Sequence, residues 1–120
     1  MLMKAVTVGG GGVISPTDIT SQCTVASGVT NAKVMLWGNI VSYSCNYSAL
    51  PTSSTTLITL PSDMTLAFES NIGGICICNT ASDISKYPQV WVNTLKQIKA
   101  STNNGAATGV ISFSGMFLIS

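Results

Sequence analysis

The stretch Gly38–Ser48, GNIVSYSCNYS, alternates apolar and polar residues along a strand opened by a glycine-asparagine turn. Successive side chains of a strand point to opposite faces, so Val41, Tyr43, Cys45 and Tyr47 fall on one side and Ser42, Ser44, Asn46 and Ser48 on the other. The first face is made for a core. The second is uncharged, fit for water, a neighbouring subunit or a sugar, and a solvated wall is the favoured reading because each buried polar group needs a partner. Upstream, Ala32–Trp37 reads as a second strand, and Gly38-Asn39 between the two as a tight hairpin turn of the primed type.

Working outward, the chain reads as short strands separated by turn residues, a pattern of all-β sandwiches and barrels. Expected strands are Ser21–Ala26, Thr55–Leu60, Met64–Ser70 paired with Gly74–Asn79, a hairpin of Gln89–Asn93 and Gln97–Ser101 around NTLK, and Gly109–Ile119. TASDISKYP reads as a loop. The last strand places Ile111, Phe113, Phe117 and Ile119 on one face, while Val110, Met116 and Leu118 make its other face apolar too. Such a strand calls for a cover outside its own sheet, and a homotrimer with Val110, Met116 and Leu118 at the interface supplies one.

With 120 residues the chain fits one domain. Residues 1–13 read as an N-terminal attachment arm with a glycine-rich joint, and residues 14–120 as the β head domain. Four glycines interrupt the first apolar run before a signal-type core is complete, and the run is too short to insert in a membrane.

Charged residues make up 8 % of the chain, against about a quarter in an average soluble protein. Weak charge repulsion leaves self-association unopposed. Five Lys and no Arg do not make the basic patch that nucleic acid needs. With no His, hydrolases of the Ser-His kind and most catalytic zinc sites are disfavoured, and the few acids, Asp63, Glu69 and Asp83 among them, read as turn residues. No enzyme, cofactor or metal is expected. Cys76 and Cys78 share a strand face opposite Ile75 and Ile77, and with Cys23 and Cys45 they do not give zinc-type spacing. Small apolar packing is the favoured role of all four thiols, with a bridge left open, and buried thiols fit synthesis in a reducing cytoplasm.

The order WGNIVSYSCNYS, TTLITLPSDMTLAFES, VWVNTLKQIKAS, then a Gly-rich loop and VISFSGMFLIS, resembles the C-terminal head domain of phage tail-fibre and receptor-binding proteins. It covers residues 32–120. The resemblance implies a trimeric β-barrel or sandwich at the tip of a virion appendage, binding host-surface saccharide without chemistry and attached to other tail or capsid proteins. The alternative is a capsid or baseplate decoration protein without receptor binding. Sugars are held by aromatic faces beside hydrogen-bonding groups, so the candidate contacts are Asp83, Tyr87 and Trp91 in one set and Trp37 with Asn39 in another. Both Trp also fit as buried anchors.

Overall fold

The computed structural model describes residues 15–120 and, ahead of them, the backbone of β1 (Thr7–Val8) and β2 (Gly12–Val13), which pair antiparallel. Apart from that ladder, the expected attachment arm and joint lie outside the described residues.

The chain folds as a small antiparallel β-sandwich of two five-stranded sheets. One sheet runs β3 (Thr17–Asp18), β5 (Val29–Trp37), β6 (Ile40–Ser48), β12 (Val110–Leu118) and β9 (Ile75–Cys78). The other runs β4 (Thr24–Val25), β7 (Thr55–Thr59), β11 (Gln97–Ser101), β10 (Gln89–Val92) and β8 (Ile72–Gly73). A one-turn helix, α1 (Ala81–Ile84), joins β9 to β10.

The alternation in β6 is realised as expected. Val41, Tyr43 and Cys45 are buried and Tyr47 packs against the same core, while Ser44 and Ser48 are exposed and Ser42 and Asn46 half-covered. Trp37 pairs with Ile40, so the β5–β6 loop is the two residues Gly38 and Asn39, and Gly38 takes a left-handed φ of 62°. A two-residue turn with positive φ at its first position matches the right-handed twist of the strands, which is why glycine stands there. The NTLK hairpin also forms, with Gln89 opposite Ser101 and Val92 opposite Ile98. From β12, Ile111, Phe113 and Phe117 enter the core, and Phe117 meets Phe68 edge-on at 6.0 Å.

Three segments differ from the sequence reading. Residues 21–26 hold only the two-residue β4, because Asp18 Oδ1 accepts from the Thr20 amide (2.9 Å) and hydroxyl (2.6 Å) and turns the chain into a 3-10 turn over Thr20–Gln22. Residues 64–70 do not pair with β9. Met64 is buried and Leu66 and Phe68 pack on the core, but the segment meets only the end of β12, through the Leu66–Ile119 bridge and the Ala67 amide on the Leu118 carbonyl. β9 pairs instead with β12, Ile75 opposite Ser114 and Cys78 opposite Ile111. Within the expected loop, α1 forms because Thr80 caps it, its hydroxyl accepting from the Asp83 amide.

The four thiols are free. Cys45 is buried, and Cys23, Cys76 and Cys78 are half-buried against the core.

Candidate functional site

β8 and β9 follow one another directly but lie at the edges of opposite sheets, so the chain crosses the sandwich at Gly73–Gly74. Glycine is required at Gly74, since a Cβ there would strike the Tyr43 hydroxyl and the Ser114 carbonyl. The Gly74 amide donates to the Val90 carbonyl (3.0 Å), tying the corner to β10. Beside that bond, residues of the corner and residues 88–91 line a groove of about 630 Å³.

The groove is built from backbone and neutral side chains. Trp91 is half-buried on the outer face of β10, opposite Gly73 on one side and Lys99 on the other. A Cβ on Gly73 would meet nothing within 4 Å, so open space lies next to the indole. Asn71 and Gln89 supply amide groups to the same lining, Pro88 an apolar ring and Cys76 a thiol. Burial first, then Cys78, pushes the Cys76 thiol up to about 12, so it stays protonated at neutral pH and is not poised as a nucleophile. An aromatic face beside amides, with no ionised group in the lining, suits a neutral hydroxylated ligand.

Of the five expected contact residues the groove contains one, Trp91. Tyr87 precedes the groove residue Pro88 and is 64 % exposed, but is not in the lining. Its φ of 53° is left-handed, a conformation held by its amide on the Ile84 carbonyl and by the amides of Asn103 and Asn104 on the Lys86 carbonyl next to it. Trp37 and Asn39 lie at the β5–β6 hairpin of the other sheet, where the Trp37 indole donates to Ser42 Oγ at 3.1 Å.

Asp83 requires correction. It is 1 % exposed and its carboxylate is consumed inside the fold: Oδ2 accepts from the Thr80 hydroxyl (2.8 Å), and Oδ1 from the amides of Thr108 (3.0 Å) and Gly109 (3.2 Å). The Thr80 bond, then those of Gly109 and Thr108, hold its pKa below the usual carboxylate range against the cost of burial. Asp83 therefore pins α1 to the start of β12 and is not available to a ligand.

Val110 and Leu118 are exposed, at 38 % and 51 %, and Met116 is half-buried on the same outer face of β12. Ile75 and Ile77 of the neighbouring β9 extend this apolar face, at 65 % and 64 % exposed. Among the described residues, no three His, Cys, Asp or Glu side chains come together as metal ligands, and no helix is long and apolar enough to cross a membrane.

Sequence reasoning missed Asn71, Pro88, Gln89 and the Gly73–Gly74 corner. The available signal was GG directly ahead of the apolar run ICIC, a mark of close backbone approach. Compared with known proteins, the chain matches no family model, no curated protein and no solved structure.

Proposed function

We propose that the chain is a non-enzymatic receptor-binding head of a phage tail appendage, which recognises a neutral saccharide of the bacterial surface through the groove beside Trp91. The observation that carries this reading is the composition of the groove: one half-buried indole with open space beside it, two amide side chains and no ionisable carboxylate or ammonium in the lining. Stacking and amide hydrogen bonds are what an uncharged sugar ring offers to bind. The reading includes a homotrimer, supported by the uncovered apolar residues of β12 and β9, and it puts the protein on the virion with other tail or capsid proteins as neighbours. Three linked shallow sites bind a repetitive surface far better than one.

The test is binding of the labelled protein to a panel of whole bacteria and to their extracted wall polysaccharides. Trp91→Ala is expected to reduce binding at least tenfold at an unchanged melting temperature. Absence of binding across the panel would overturn the receptor reading and favour a decoration role.

A further inference from the structure

Tyr43 is 3 % exposed, and its hydroxyl is buried with no hydrogen-bond partner among the described residues. Buried polar groups are rarely left so, because an unpaired donor forfeits its bonds to water. The hydroxyl ends beneath two glycines, Gly74 and Gly115, and a Cβ on either would collide with it. Tyr43 lines a notch of about 420 Å³ on the other side of the Gly73–Gly74 corner from the Trp91 groove, walled also by those two glycines, Gly115, Ser42, Ser114, Ile75 and Met116.

The notch exists because β9 stops short along β12. Their ladder ends at Ser114 opposite Ile75, and the next bond on that edge is from the Ala67 amide to the Leu118 carbonyl. Peptide groups alternate sides along a strand, so the N–H and C=O of Met116, two residues before Leu118, face the gap. The notch thus combines a phenol donor, a main-chain donor and acceptor, and the apolar side chains of Met116 and Ile75, with no charged residue in its wall. An acetamido group has the matching parts: one carbonyl acceptor, one N–H donor and one methyl.

We propose that this notch is a second subsite that takes the acetamido group of an N-acetylated sugar, its carbonyl accepting from the Tyr43 hydroxyl, its N–H facing the Met116 strand edge and its methyl resting on Met116 and Ile75. The inference rests on the saccharide reading above and names the sugar class.

The experiment uses the wall polysaccharide that the protein binds, before and after chemical N-deacetylation and again after re-N-acetylation. Deacetylation is expected to weaken binding at least tenfold and re-acetylation to restore it. Tyr43→Phe is expected to shrink the preference for native over deacetylated polymer, the Met116 and Ile75 contacts keeping the remainder, at an unchanged or higher melting temperature, since the lost hydroxyl had no partner. Indifference of the wild-type protein to deacetylation, or a preference as large in Tyr43→Phe as in the parent, overturns the proposal, as does a fall in melting temperature, which would show the hydroxyl to be satisfied within the fold. Binding that depends on Trp91 but not on acetylation sinks the notch alone, whereas absence of binding to every polymer sinks the saccharide reading itself.

Discussion

Tyr43 and Gly115 face each other across β6 and β12, and the phenol fills the space where a side chain on the glycine would stand: a Cβ there would lie 2.7 Å from Cε1 and Cζ of the ring. Gly115→Ala must therefore displace a ring packed in the core, where Phe117 lies 6.4 Å from it. The expected cost is about 1–3 kcal/mol, typical of overpacking, read as a lower urea midpoint. Combined with Tyr43→Leu the alanine should cost less than in the parent, a coupling between contacting residues that a double-mutant cycle measures. Additive effects would show that the two do not compete for that space.

Acid sensitivity follows from Asp83 and Asp18. Hydrogen bonds from Thr80 hold Asp83 low, and those from Thr20 hold Asp18 at about 2. A carboxylate with a depressed folded pKa adds stability above its unfolded value near 4, and that stability is lost as pH falls through the folded pKa. The urea midpoint should drop from pH 5 to pH 2. Asp83→Ala should lower it at pH 7 and flatten the acid limb, while a limb unchanged by the substitution would exclude Asp83 as its source.

The thiols act at the other end of the scale. Burial raises Cys45 to about 11, and burial with Cys78 raises Cys76 to about 12. In the unfolded chain they ionise near pH 8.5. The folded state therefore holds more protons between those values, and stability should be full below pH 8 and decline as pH rises toward 11. Cys45→Ala and Cys76→Ala should each reduce the slope of that decline. A thiol reagent at pH 8 should modify Cys45 only after denaturation, and rapid labelling of Cys45 in the native protein, read by peptide mapping, would contradict its burial.

Assembly is tested at Leu118. Because that side chain is 51 % exposed in the single chain, Leu118→Asp should leave the fold of one subunit within about 0.5 kcal/mol of the parent. In a trimer built on the β12 face it would place an unpaired charge in a dry contact. Light scattering should then report a trimer for the parent and a 12.4 kDa monomer for the variant. A parent that is already monomeric would remove the trimer.

Local pattern carried the sandwich and its two hairpins, because the alternation of β6 and the turn residues at Gly38-Asn39 and Asn93–Lys96 act between near neighbours in sequence. Residues 64–70 misled for a related reason: Met64, Leu66 and Phe68 do point inward, but a ladder also needs a partner edge, and β12 ends beside them. The fate of Asp83 was half legible. Thr80 and Asp83 stand at capping distance, whereas the bonds to Thr108 and Gly109 join residues 25 and 26 positions away. The Tyr43 notch depends on Gly74 and Gly115 arriving from two other strands, which no local reading contains.

The crossing at Gly73–Gly74 is one of several. The links from β3 to β4, β4 to β5, β6 to β7, β8 to β9, β9 to β10 and β11 to β12 each pass from one sheet to the other, so neither sheet is made of one continuous piece of chain. Half of the sequence cannot build half of the sandwich. Pairing β6 with β12 fastens residues about seventy positions apart, from Val110 opposite Ser48 to Leu118 opposite Ile40, a topology that places folding on the millisecond-to-second scale and makes it all-or-none. A nick in the loop before β12 should leave two fragments that are unstructured apart and fold only together.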